Sequence, residues 1–448
     1  MIFAYYGSYR SFDKTGKVPL QQRPNIVFVL FDSLGSHHTG LPDGTDDLPV
    51  LSRLCQSAAV FPNTYTPCPE SSPARASLFT GLDPCVHGLW SNGVELGAHE
   101  TTFVQRLASA GYANCLVGRW QLAGVSRWTT ELTRPTEYSH VEWAHGPLHR
   151  SRQNAYLNWL QEHAPDHYNT LFEKQADPEF TLITEYQRSA ISVLPEEYSF
   201  NSWVGQRVST WLLAQPNSQP VLAVASFCVG DLMGTEPPLA DDTEGLDKQS
   251  LKQADAAIGR LLDQLEADGR MRETVIVLCA ARGNKSDAKS VMNEASIKVP
   301  LLIHRHGEKK SVEVLPVSTM DISSTILEIA GVPAGPRLQG QSLLGVIDGA
   351  ARPKGWTLCR HRPEDSPSGR QWQSALCTST MKLVMHHGDD KTGLQSRLAL
   401  YNLQSDPGER DNLADSPDYE ADLENMLDTM IDARCALEDR TEPRIADF

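Results

Sequence analysis

The chain is expected to fold as an α/β protein. A large, mostly parallel sheet is sandwiched by helices, and a small C-terminal α+β subdomain follows. Three observations lead there. Short runs rich in Val, Ile and Leu recur: NIVFVLF (25–31), NCLVG (114–118), VLAVASF (221–227), TVIVLCA (274–280) and VPLLI (299–303). Continuous apolar runs of that length suit strands buried on both faces. Helical patterns separate the runs, and that alternation is the signature of a parallel sheet. From about Gly355 onward the pattern changes to short strand-like pieces with turns between them, as in an antiparallel sheet.

Taken in order, NIVFVLF opens the sheet and NCLVG follows. The segment 149–197 is polar, dotted with aromatics and irregular. It suits a lid, a substrate-specificity insertion or an oligomer contact, so a homo-oligomer is one of the open alternatives. VLAVASF comes next. Between residues 246 and 269, Leu251, Ala254, Ile258, Leu261, Leu262 and Leu265 keep helical spacing, with Gly269 as the stop. TVIVLCA and VPLLI complete the main sheet. Beyond 355, WTLCRH, QSALCT, KLVMHH and LALYNL read as antiparallel strands. A closing helix carries Leu423, Met426, Leu427, Met430 and Ile431 on one face. The division is therefore 1–354 for the α/β domain and 355–448 for the C-terminal subdomain. Sites in such sheets gather at the carboxyl ends of strands, so chemistry is expected after NIVFVLF, VLAVASF and TVIVLCA.

Composition narrows the partners. The chain has 448 residues, enough for a large core, and a formal net charge of −16. That charge excludes a general nucleic-acid surface or a polybasic membrane patch. No apolar run reaches membrane-spanning length. The first twenty or so residues lack a basic then apolar leader pattern. The nine cysteines are scattered, odd in number and without a CxxC pair, which reads as free thiols in a reducing compartment. A cytoplasmic location is expected.

The stretch TPCPESSPARASLFTG (66–81) resembles the nucleophile motif of the sulfatase family, C/S-x-P-x-R followed by Thr-Gly, with Ser71 at its head and Pro73 and Arg75 at the matching offsets. Further resemblances follow in the family's order. RPNIVFVLFDSLG is similar to its first strand and metal loop. GYANCLVGRWQLAG is similar to G-Y-x-T-x-x-x-G-K-W-H-L-G. TVIVLCAARGN is similar to the strand that ends in Ser-Asp-His-Gly or Ser-Asp-Asn-Gly. KSVMNEASIKVPLLI, TMDISSTILEIAGVPAGPRLQGQSLL and LALYNLQSDPGERDNLA match later segments. The likeness spans nearly the whole chain. It is nearest the branch of phosphonate monoester hydrolases and alkyl or choline sulfatases within the alkaline phosphatase superfamily. It implies that fold, hydrolysis of a sulfuric, phosphate or phosphonate ester, a formylglycine made from the head Cys or Ser, and a calcium ion. The expected partner is an anionic small-molecule ester or anion.

The resemblance also assigns positions. Ser71, Arg75, Arg119, Gln121, Asp231 and Lys289 fall on catalytic or substrate-binding positions, and Asp32 on the first metal carboxylate. Several residue types depart from the pattern. Ser33, Ala281 and Arg282 occupy the other ligand positions; Gln121 stands for a histidine, and Asp231 for another after VLAVASF. A hard cation wants about six oxygens, several of them carboxylates. Ala281 removes a carboxylate and Arg282 adds a cation that is never deprotonated. Arg282 is therefore expected in the vacated cation site, paired with Asp32. Plainer roles stand beside these. Asp32 also suits a helix cap and Ser71 an N-cap. Lys289 suits a solvated loop, and His87 a structural place. His37, His38, Asn284 and Asp287 are possible replacement ligands. Two functions stay open: an ester hydrolase with a remodelled, metal-free anion pocket around Ser71, or a non-catalytic pseudo-sulfatase acting as a binding or scaffold subunit.

Overall fold

The computed structural model describes residues 23–123, 137–149, 151–172, 194–229, 243–284, 291–350, 354–362, 372–388 and 395–438. Its strands are β1 (Asn25–Ser33), β2 (Ala59–Val60), β3 (Thr64–Tyr65), β4 (Ala113–Gly118), β5 (His140–Trp143), β6 (Val221–Phe227), β7 (Thr274–Arg282), β8 (Lys298–Val299), β9 (Leu301–His304), β10 (Ser311–Val312), β11 (Val317–Ser318), β12 (Thr357–His361), β13 (Gln373–Cys377), β14 (Met381–His386) and β15 (Arg397–Asn402). Eight of them make the main sheet, in the order β10-β2-β9-β7-β1-β6-β4-β5.

The apolar runs become the centre of that sheet. β1 pairs in parallel with β6 on one side and β7 on the other, and β4 runs parallel to β6 and β5. β9 is the reversed strand, antiparallel to β7 and β2, so the mostly parallel sheet is strictly mixed. VPLLI is one run in sequence but two strands in the fold. Pro300 lacks the N–H a ladder needs. Val299 pairs with Thr64 in a three-stranded sheet, and Leu301 begins β9. Ile26 to Leu30 are wholly buried, as are Val221 to Ala225, because helices cover both faces.

The patterned helix spans Thr243–Ala267, and Gly269 follows at φ 75°. It docks on the helix Pro49–Cys55, whose Val50 and Leu51 N–H groups donate to the Asp255 carboxylate. Part of the segment read as irregular is helical. Ala155–His163 and Pro165–Phe172 are helices, and Tyr156, Leu157, Leu160 and Leu171 enter the core. Residues 150 and 173–193 of it lie outside the described residues.

The strands β12 to β15 form an antiparallel meander. The helix Glu420–Glu438 packs on it through Leu423, Met426, Leu427, Met430, Ala433 and Leu437. Ile431 is corrected here: it is 44% exposed. One step past Met430 turns about 100° around a helix, away from the packed face. Charged contacts tie this sheet to the α/β core. Lys382 of β14, wholly buried, meets Glu294 at 3.1 Å and also Glu409. Arg360 of β12 donates to Asp83 at 2.9 Å. All nine cysteines are free. No helix among the described residues is long and apolar enough to cross a membrane.

Candidate functional site

Four strand ends bring the expected residues together. β1 ends in Asp32 and Ser33, β7 in Ala281 and Arg282, β6 in Ser226 and Phe227, and Arg119 follows β4. The helix Ser71–Thr80 points its first turn at them. Ser71 and Arg75 are four residues apart, hence on one helix face. The N-cap is Glu70, and Ser71 is the first helical residue. The suggested capping role of Ser71 is thus corrected. Asn92 does that work instead, its side-chain oxygen accepting from the Ser72 N–H at 2.9 Å.

Asp32 is the electrostatic centre. It is 1% exposed. Its Oδ1 accepts from Arg75 Nη2 at 2.7 Å, and its Oδ2 accepts from Arg119 Nη1. Arg75 is itself locked in place. Its Nη1 donates to the Arg119 carbonyl at 3.1 Å and its Nη2 to Ser226 Oγ at 3.2 Å. Arg119 Nε donates to the carbonyl of His145. A buried carboxylate needs such partners, since its desolvation costs several kcal/mol.

The expected Arg282–Asp32 pair is therefore replaced by pairs with Arg75 and Arg119. Arg282 stays in the site, buried, but turns to the helix: its Nε donates to Ser71 Oγ at 2.7 Å and its Nη1 to the Gly283 carbonyl at 3.1 Å. Arg75 comes from the helix Ser71–Thr80 and Arg119 from the end of β4, and both guanidiniums meet Asp32, while the Arg282 guanidinium meets Ser71.

The remaining ligand positions do not suit calcium. Ser33 spends its hydroxyl on the Gly283 carbonyl at 2.9 Å. Ala281 offers no donor atom. Asp32 already gives both oxygens to guanidiniums. Asn284 accepts from the Gly35 N–H at 2.9 Å and contacts His38 Nε2 at 2.9 Å, so it latches two loops together. The His37 and His38 rings lie 3.9 Å apart, and burial lowers the His37 pKa. Among the described residues, no group of three or more His, Cys, Asp and Glu is arranged to hold a metal. Among the described residues, the donor set does not fit a calcium site of about six oxygens. Asp231, Asp287 and Lys289 lie outside the described residues.

Gln121 lies after Trp120, buried, with φ 60°. That left-handed backbone is unusual for a residue other than glycine, and an amide cannot shuttle a proton. His87 sits deeper. Its Nδ1 accepts from the Leu89 N–H at 3.1 Å and its Nε2 meets Ser77 Oγ at 2.9 Å. Burial pushes its pKa down to about 3.

Two neighbours of the site went unread in sequence. His145, 3% exposed, follows β5. His361 of β12 lies 3.6 Å from the Glu70 carboxylate, so the C-terminal sheet reaches the residue preceding Ser71. The carboxyl-end rule would have pointed to His145 had β5 been recognised. HVEW is too short and polar to announce itself. Nothing in the sequence marks His361.

A family model described as Sulfatase matches residues 24–332, and one described as N-sulphoglucosamine sulphohydrolase, C-terminal, matches residues 286–436. The chain is 24% identical to the uncharacterized sulfatase YidJ of Escherichia coli strain K12, over 92% of this chain and 87% of that protein. It is 25% identical to arylsulfatase K of Danio rerio, over 92% and 84%. It is 22% identical to a choline-sulfatase of Rhizobium meliloti, over 88% and 83%. The phosphonate monoester hydrolase of Agrobacterium radiobacter has the same fold, with a TM-score of 0.74, 17% identity and coverage of 93% of this chain and 96% of that one. With the family model spanning well over half of its length and the motifs in place on the strand ends, this chain belongs to the sulfatase family.

Proposed function

We propose that this chain binds the anionic head of a small sulfate, phosphate or phosphonate ester beside Ser71, and that the family's calcium and formylglycine hydrolysis is lost or strongly altered. Asp32 carries the reading. Its two oxygens are held by Arg75 and Arg119, so the first metal carboxylate is committed to an internal ion-pair network. Fixed guanidiniums then stand where the family places a cation. They are donors for an oxyanion, and the N-terminus of the Ser71–Thr80 helix adds its own positive end.

Seen this way, Arg282 and Ser71 form the receiving edge, and Arg75 and Arg119 form a rigid floor kept in place by Asp32. Gln121, at the position of a family histidine, offers an amide that cannot donate a proton in turnover. The free cysteines support the cytoplasm as the compartment. A second reading keeps catalysis. The Arg282 Nε–Ser71 Oγ hydrogen bond would favour an unmodified serine hydroxyl as a metal-free nucleophile, since an adjacent cation stabilises developing negative charge.

Three measurements test this. Calorimetry with sulfate should show saturable binding that Arg282→Ala abolishes. Assays with an aryl sulfate and a phosphonate monoester should show no calcium-dependent hydrolysis. Metal-independent hydrolysis lost in Ser71→Ala would favour the second reading. Peptide mass spectrometry over 66–81 should find Ser71 unchanged; loss of two hydrogens there, with calcium-dependent turnover, would overturn the proposal.

A further inference from the structure

We infer that His145 is a further ligand of the bound oxyanion, a neutral imidazole beside the Arg75–Arg119 pair that hydrogen-bonds the anion and takes up a proton as it binds. This rests on the anion-site reading above and adds a residue and a linked proton to it.

The position of His145 is set by the network itself. Its carbonyl accepts from Arg119 Nε, and Ala144, the residue before it, donates its N–H to Gly118, which ends β4. The loop after β5 is thus fastened to the loop after β4. The His145 side chain is buried, and its Nδ1 makes no hydrogen bond. Leaving a buried polar atom unsatisfied is costly, and such atoms call for an explanation. The ring packs 5.0 Å from that of His149 and 6.3 Å from that of Trp143, centroid to centroid. Trp143 and His149 also meet edge to face at 5.3 Å. The three rings pack on one another.

The charges around His145 define its protonation. Burial comes first, then electrostatic repulsion from Arg119, His149 and Arg75, and together they hold its pKa well below the ordinary value of 6.5. The carboxylate at the end of β1, Asp32, is gripped by both guanidiniums. The free imidazole is therefore neutral at neutral pH. A dianion seated against these guanidiniums offsets their charge and raises the proton affinity of the ring. Binding is then linked to proton uptake, and affinity rises as pH falls. His145 joins the network from the β5 side through its carbonyl, and its unpaired Nδ1 is the group offered to the anion.

The test uses the full chain and sodium sulfate, which keeps both of its charges near neutrality, so any proton taken up belongs to the protein. Calorimetry at about pH 6.5, in buffers of different ionisation enthalpy, counts protons on binding. The wild type should take up a fractional proton and bind sulfate more tightly as pH falls. His145→Gln should bind roughly tenfold more weakly, about the loss of one hydrogen bond to a charged group, with a flat pH profile. If His145→Gln matches the wild type in affinity and pH profile, the inference falls and the anion site stands. Sulfate binding by the wild type without proton uptake also overturns it, with no variant needed. No sulfate binding by the wild type overturns both readings.

Discussion

Asp32 shows how a retained carboxylate at the end of a strand takes new partners when the ligand positions around it change. In a calcium site a carboxylate at that position shares a cation with several others. Here it is buried and doubly paired, which is stable only while both guanidiniums remain. Asp32→Ala would leave Arg75 and Arg119 buried with no carboxylate between them. It should cost about 3–5 kcal/mol, read as a lower midpoint in urea unfolding. A change near zero would mean that the network is dispensable. His87 gives a pH signature. Its pKa is about 3 when folded and about 6.5 when unfolded, so the unfolded chain binds the extra proton between those values. Stability from this group is complete above about pH 6.5 and falls by up to ~1.4 kcal/mol per pH unit as pH drops toward 3. His87→Gln should flatten that limb of the stability–pH curve.

At the scale of elements, the site depends on how strands release the chain. Gly118 ends β4 at φ 105°, and a Cβ there would lie 2.3 Å from the Ser226 carbonyl oxygen. Only glycine lets Arg119 leave β4 so close to β6. Gly118→Ala should therefore destabilise by roughly 2 kcal/mol or more and weaken sulfate binding with it; near-wild-type unfolding and binding would contradict this placement. The strand ends themselves were legible, because long apolar runs bounded by Asp32, Arg119 and Arg282 leave little choice of register. The motif offsets likewise placed Ser71 and Arg75 on one helix face. What stayed hidden depended on tertiary reach. Sequence order favoured Arg282 as the partner of Asp32, while geometry selects Arg75 and Arg119. His145 sat behind β5, an edge strand with few apolar residues. The helices Ala155–His163 and Pro165–Phe172 carry many aromatic and polar residues, which obscure their helical period. Ile431 was misplaced because adjacent positions on a helix face different ways.

Across the whole molecule, a sulfatase-family fold runs from the central sheet to the C-terminal meander, and three guanidiniums, those of Arg75, Arg119 and Arg282, gather at Asp32 and Ser71. The net charge of −16 does not forbid an anion site, because a few buried cations can set the local potential against the global one. The C-terminal sheet takes part as well. Lys382 fastens it to Glu294, and His361 places it beside Glu70. The central claim is that internal guanidiniums, not a metal, neutralise Asp32. The most direct measurement is thermal unfolding of the chelator-treated protein titrated with calcium. Anything that binds only the folded state must raise its stability. No saturable rise in Tm with calcium is expected. A saturable rise that disappears in Asp32→Asn would contradict it and return the site to the family's metal chemistry.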